Sequence, residues 1–112
     1  MLLCPPHATP AVPHTRSAEF QIAGSYSMLF NLVQFPSGVV PVTRVGPHET
    51  SRVRGGDRFD ATARLVDAAS EGLPVGVQVA APPFQDELVL AVMRAIEKGT
   101  AESAPKTPRA PA

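Results

Sequence analysis

This 112-residue chain carries no charge of one sign to spare: ten basic residues offset ten acidic ones. No global field therefore draws it to nucleic acid or to an anionic membrane. Cysteine occurs once, at Cys4, which excludes an internal disulfide and favours a reducing, cytoplasmic compartment. No apolar run reaches the roughly 18–20 residues of a membrane span. The opening Met1-Leu2-Leu3-Cys4-Pro5-Pro6 has neither the basic region nor the long apolar region of a signal peptide. No internal repeat is visible, and the length allows one small domain.

The usual catalytic patterns are missing as well. Gly24-Ser25-Tyr26-Ser27-Met28 lacks the second glycine that a sharp nucleophile turn requires. Gly55-Gly56 runs into Asp57 rather than the Lys-Ser/Thr of a phosphate loop. Cys4, His7 and His14 fall one donor short of a four-ligand metal site, and the prolines between them restrict convergence, so no metal and no cofactor is expected. His48 sits in a charged loop with no nucleophile beside it. Arg44, Arg52, Arg54 and Arg58 make a mildly basic loop diluted by Glu49 and Asp57, read as a solvated surface. Adjacent Asp86 and Glu87 point apart on a helix and complement its dipole rather than forming an acid/base pair. Lysine is confined to Lys98 and Lys106, neither placed as a desolvated base. Spacing alone supplies no catalytic residue.

What the chain has is proline, 13 residues of it, seven of them near the ends. Met1-Leu2-Leu3-Cys4 suits the end of a buried strand, stopped by Pro5-Pro6. Ser17–Gln34 reads as a helix with a weak start, its apolar Ile22, Met28, Leu29, Leu32 and Val33 at roughly helical spacing and Phe35-Pro36-Ser37-Gly38 as its stop. Val39–Val45 is a β-rich run apolar on both faces, with Pro41 pushing it to an edge or a bulge. Gly46–Gly56 is a loop, and Asp57 caps a helix ending at Gly72. Leu73–Ala81 is the second β-rich run. Gln85–Lys98 is the strongest helix, with Leu88, Val92, Met93 and Ile96 as its stripe and Gly99 as its stop. Residues 99–112, rich in Ala and Pro, are expected to be a disordered tail.

The order β-α-β-α-β-α predicts an α/β fold. Three strands apolar on both faces need helical cover on both sides, and three helices do not supply it. The chain therefore reads as a slice of a larger mixed β-sheet flanked by helices.

Two strings add a resemblance. Ser25-Tyr26-Ser27-Met28-Leu29-Phe30-Asn31-Leu32-Val33-Gln34-Phe35-Pro36-Ser37-Gly38-Val39-Val40-Pro41-Val42-Thr43 resembles the C-terminal region of fatty acid amide hydrolases, members of the amidase signature family. Gly72-Leu73-Pro74-Val75-Gly76-Val77-Gln78-Val79, with Pro83-Phe84-Gln85-Asp86-Glu87-Leu88, looks like that family's penultimate strand and final helix. The opening Leu2–Ala11 is similar to the strand and loop before them. The resemblance covers residues 1–98, with loop 46–56 somewhat shorter than in the animal enzymes.

The resemblance implies an amidase acting on a small-molecule amide through a Ser–Ser–Lys triad. Those residues belong to a region far upstream of the one matched. No residue of this chain takes a catalytic role, Ser25 and Ser27 match non-catalytic helix positions, and the chain alone is expected to be inactive. By position, Gln21, Gly24 and Met28 fall on the channel-facing side of the first helix, and Phe59 matches an aromatic at the access route. The other reading makes Met28 and Phe59 ordinary core residues. Expected partners are the missing amidase portion or a second copy, and the parent's peripheral association with a membrane stays open. The alternative function is a small non-enzymatic binding module that docks through its exposed apolar face.

Overall fold

The computed structural model describes residues 1–103, and the expected strand and helix order holds. Three strands form one sheet. β1 (Leu2–Cys4) and β2 (Ser37–Arg44) flank the central β3 (Pro74–Ala80), and both pairings are antiparallel. Alternate valines at 75, 77 and 79 give β3 a branched side chain in every second position, which suits the middle of a pleated surface. Pro41 acts on β2 as expected. That strand lies at an edge, and its register with β3 shifts between Pro41 and Thr43, because a residue without an N–H cannot complete a regular ladder.

The helix expected over Ser17–Gln34 is divided. Ser17–Gly24 winds as a 3₁₀ segment, and only α1 (Ser25–Leu32) is α-helical. At Phe20 the backbone (φ −125°, ψ 28°) leaves the helical region, and the ring enters a buried cluster with Ala23 and Ala63 against Val12 and Phe59. Burying a Phe is worth roughly 1.5–3 kcal/mol, against a few tenths of a kcal/mol per residue of helix propensity, so packing wins. The end of α1 is a complete Schellman motif. Gln34 adopts φ 55°, Phe35 N–H bonds to Phe30 O (3.0 Å) and Gln34 N–H to Asn31 O (3.3 Å). The Phe30 and Phe35 rings stack across the turn with centroids 6.4 Å apart.

The helix expected from Asp57 to Gly72 is shorter as α2 (Asp60–Ala68). Asp57 does cap its approach, its carboxylate accepting the Phe59 N–H at 2.8 Å. At the far end Gly72 takes φ +76°, which glycine adopts without steric cost, and turns the chain into β3 while its N–H bonds to Val45 O at 2.9 Å. The last helix, α3 (Asp86–Ser103), passes through Gly99 instead of stopping there. Gly99 keeps a negative φ, and Thr100 Oγ1 donates to the carbonyls of Ile96 (3.0 Å) and Glu97 (2.9 Å). Of the tail expected to be disordered from residue 99, the first five residues are therefore helical. Residues 104–112 lie outside the described residues.

Packing of the sheet is uneven. The α3 stripe Val89, Val92, Met93 and Ile96 covers the sheet face that carries Val79. Gly38 lies on this face because Met93 crosses it, and a Cβ there would collide with the thioether. On the opposite face Val39 is exposed, while Gln78 and Ala80 of β3 are buried. Phe20, Ala23 and Ala63 make a second small cluster apart from the first. The radius of gyration is 15.9 Å, against about 13 Å for a compact chain of this length. Met1, Leu2, Leu3, Ile22, Leu29 and Leu32 are all exposed. Central β3 is buried on both faces only at Gln78–Ala80, and the edge strands β1 and β2 stay largely exposed.

Candidate substrate channel

The four positions expected to face a channel come from two stretches, the 3₁₀–α1 segment and the start of α2. Gln21 is exposed and Gly24 half-buried. The open side of Gly24 faces the proline-rich loop, where a Cβ would stand 3.8 Å from His7 Cδ2. Three residues on, Ser27 Oγ donates to Pro6 O at 2.7 Å, and Ala8 N–H bonds to Ala23 O at 2.9 Å. These bonds clamp loop Pro5–Ala8 along this segment. Met28, the next position on the same helical side as Gly24, is 52% exposed.

Phe59 reaches the same loop through Phe20, whose ring centroid lies 6.2 Å from that of His7. It is half-buried against Phe20, ring centroids 6.1 Å apart and tilted by 46°, and the Arg58 guanidinium lies 4.6 Å above its ring. Phe59 is thus continuous with the Phe20 cluster, whereas Met28 is exposed and packs in neither buried cluster. The fold brings Gly24 close to His7 and Phe59 close to Phe20.

A groove of about 640 Å³ opens on the sheet face opposite α3. Its walls are the loop Pro5–Val12 on one side and Val39, Pro41, Thr43 and Gly76 on the other, with Arg44 and Glu49 at one end. None of Gln21, Gly24, Met28 or Phe59 lines it. Sequence reading missed this groove. The available signal was a rigid proline-rich loop next to a strand whose proline keeps it at the edge.

Several polar groups of the groove are bonded within the fold. His7 Nδ1 accepts the Thr9 N–H (3.3 Å), Glu49 Oε2 accepts the Gly46 N–H (2.7 Å), and Arg44 donates to Gly72 O (2.9 Å). Thr9 Oγ1 lies 3.2 Å from the same His7 Nδ1 and donates to Pro10 O at 3.1 Å, so the one hydroxyl beside the imidazole is tied back to its own loop. Cys4 Sγ points to Gln78 Oε1 at 3.9 Å, and Gln78 Nε2 donates to Ser37 Oγ at 3.3 Å. Among the described residues, no group of three or more His, Cys, Asp and Glu could hold a metal ion. No helix among them is long and apolar enough to cross a membrane.

The strongest electrostatic contact joins the charged loop to α2. Arg52 Nε and Nη2 both donate to the buried Asp67 carboxylate, the second at 2.9 Å. The hydrogen bond to Asp67 holds the Arg52 guanidinium above its ordinary value, against partial burial that acts the other way. This pair ties Arg52 to α2, while residues 51–58 are exposed along their length, as expected of a solvated loop. Sequence spacing did not point to it, because the partners lie 15 residues apart in different elements.

Comparison with known proteins bears on the whole segment. The family model described as Amidase matches residues 1–90. Fatty acid amide hydrolase 1 of Caenorhabditis elegans is 37% identical over 101 residues, covering 87% of this chain and 18% of that protein. Fatty-acid amide hydrolase 1 of Sus scrofa is 37% identical over 98 residues, 83% of this chain and 17% of its own length. An amidase of Gibberella moniliformis is 36% identical over 90 residues, 80% of this chain and 14% of its length. The chain thus spans less than a fifth of the length of these relatives. No solved structure matches it. A matched span running from β1 into α3, with relatives this similar over most of the chain, places the protein in the amidase family.

Proposed function

We propose that this chain is the C-terminal part of a fatty acid amide hydrolase-like amidase, supplying sheet and acyl-channel surface to a catalytic portion that carries the Ser–Ser–Lys triad. The observation that carries the reading is the 37% identity over 87% of the chain to a fatty acid amide hydrolase of which it spans 18%. The exposed apolar side chains support it. Each large apolar side chain left in water forgoes about 1.5–3 kcal/mol, so exposed Leu2, Leu3, Ile22 and Leu29 favour cover by further protein.

In this reading Gln21, Gly24, Met28 and Phe59 border the route of an apolar acyl chain. Met28 offers exposed, polarizable apolar area without polar groups, which suits an aliphatic ligand. Phe59, seated on Phe20, would form a fixed wall rather than a mobile one. The substrate is a small-molecule amide, and nucleic acid has no part in it. The chain by itself hydrolyses no amide in this reading, since the triad belongs to a region outside the matched segment; Ser25 and Ser27 sit on α1, and Ser27 Oγ is bonded to Pro6 O.

The test is amide hydrolysis by the purified 112-residue chain and by the chain supplied in place of the matched segment of the Caenorhabditis elegans relative. The expected result is none above background for the first and turnover for the second. Turnover by the chain alone that is abolished by Ser25→Ala or Ser27→Ala would refute the reading. A stable monomer that binds no hydrophobic dye would favour the alternative, a self-sufficient binding module.

A further inference from the structure

His7 is held at its backbone, at its ring and at one ring nitrogen. The residues on either side of it are tied to the helical segment, Pro6 O accepting from Ser27 Oγ at 2.7 Å and Ala8 N–H donating to Ala23 O at 2.9 Å. Pro5 and Pro6 stiffen the chain before it. Its ring meets Phe20 edge-on, centroids 6.2 Å apart and planes at 73°, and a Cβ at Gly24 would stand 3.8 Å from Cδ2. Nδ1 faces Thr9 in either tautomer. Bare, it accepts the Thr9 N–H at 3.3 Å; protonated, it donates to Thr9 O at 3.1 Å.

Nε2 is the nitrogen left over. Among the described residues it has no hydrogen-bond partner, and none of their side-chain nitrogens or oxygens is both buried and unpartnered, so Nε2 is open to a ligand. The imidazole is also part of the wall of the groove beside β2. Packing on Phe20 asks only for an apolar edge, and it leaves the free nitrogen without a use in the fold. Through Phe20, which carries Phe59, and through Gly24 beside Cδ2, His7 joins the two stretches assigned to the acyl route.

We infer that His7 is a binding residue of that route and that its Nε2 takes a hydroxyl carried by the otherwise apolar acyl chain of the amide substrate. This rests on the reading that Gly24 and Phe59 border the acyl route. A hydroxyl answers both tautomers, since it accepts from Nε2–H and donates to a bare Nε2, whereas a carbonyl or an ether answers only one. A plain alkyl chain strips water from Nε2 without replacing its hydrogen bond, a cost that the hydroxylated chain avoids. Gln21, exposed one turn before Gly24, adds a second polar group on the same side, and Met28 still receives the apolar part of the chain.

The test uses a chimera in which this chain replaces the matched segment of the Caenorhabditis elegans relative. Its substrates are a saturated fatty amide and a set of mono-hydroxylated isomers, the hydroxyl walked along the acyl chain. The readout is kcat/KM for each isomer divided by that for the plain amide, a ratio independent of how much of the protein is folded. One isomer is expected to be preferred, and His7→Leu, which keeps an apolar edge for Phe20, lowers its ratio about 5-fold or more. His7→Gln, whose amide reaches about as far as Nε2, keeps most of the ratio, whereas His7→Asn, which replaces only the Nδ1 side, does not. An active chimera whose ratios are unchanged by His7→Leu overturns the assignment and leaves the amidase reading standing. Should His7→Leu silence the chimera, equal ratios for His7→Gln and His7→Asn overturn it in the same way. A change seen only for a hydroxyl on the amine side of the amide also overturns it, because His7 would then lie off the acyl route. A chimera that hydrolyses neither kind of amide sinks the amidase reading and the assignment with it.

Discussion

Replacing Arg52 with Ala removes the clamp between the charged loop and α2, and its cost follows from the geometry. Both Asp67 carboxylate oxygens accept from Arg52, and the Asp67 side chain is 9% exposed. A hydrogen bond to a charged group contributes about 1.5–3 kcal/mol, and leaving a buried carboxylate unpaired costs about 3–5 kcal/mol in a fully dry site. This site is not fully dry. The Arg52 side chain is 34% exposed, so water can follow the deletion and screening reduces the penalty. The expected loss for Arg52→Ala is about 2 kcal/mol, a urea midpoint lower by about 1–2 M for a slope near 1–2 kcal/mol/M. Arg52→Lys recovers less than half, because an ammonium cannot make the paired contact. Arg52→Ala with Asp67→Ala lies closer to the parent than the two single losses sum to, since no buried charge is left alone. A single variant within about 0.3 M of the parent, or strict additivity in the double variant, would show that the pair is only a surface contact. The raised Arg52 value adds a sign on the alkaline side: the arginine's contribution is present below the ordinary arginine range and is lost only as pH rises above it. Alkaline titration to about pH 10 therefore leaves the difference between parent and Arg52→Ala unchanged.

Further outcomes follow from packing. Gly76→Ala sets a Cβ 2.7 Å from Val39 Cγ1 and 3.1 Å from the Val40 carbonyl oxygen, so β2 and β3 must part, with a loss of about 1–3 kcal/mol by chemical denaturation. Gly38→Ala meets only the flexible end of Met93 and costs clearly less; equal losses would contradict this ranking. Phe20→Ala empties the cluster of Ala23, Ala63 and Phe59 and costs about 3–5 kcal/mol, enough to leave the chain partly unfolded by circular dichroism. Leu32→Gln, at an 82% exposed position, changes the stability of the chain by less than about 0.5 kcal/mol, and a larger change would mean that α1 is covered in solution.

The candidate site was only partly legible. Its four residues were named by family position, and side-chain periodicity could relate Gly24 to Met28, yet nothing local ties Phe59 to Phe20. That contact needs the 3₁₀ segment and α2 to meet, which is a non-local choice. The groove beside β2 was equally invisible, because it exists only between a loop and a strand distant in sequence.

Element types and order were local matters. Valine-rich runs, a proline that spoils a ladder, an aspartate before a helix and a glycine after one specify strand, edge, start and turn through short-range sterics and hydrogen bonds. The missing cover for strands apolar on both faces was also readable, since it is a count of faces against helices. Tertiary structure decided the rest. It broke the first helix at Phe20, because burying a ring outweighs a turn of helix, and it carried α3 through Gly99, because Thr100 returns a bond to the turn before. It bound Arg52 to Asp67. Those outcomes depend on which distant atoms meet, and burial and charge pairing are settled only once they do.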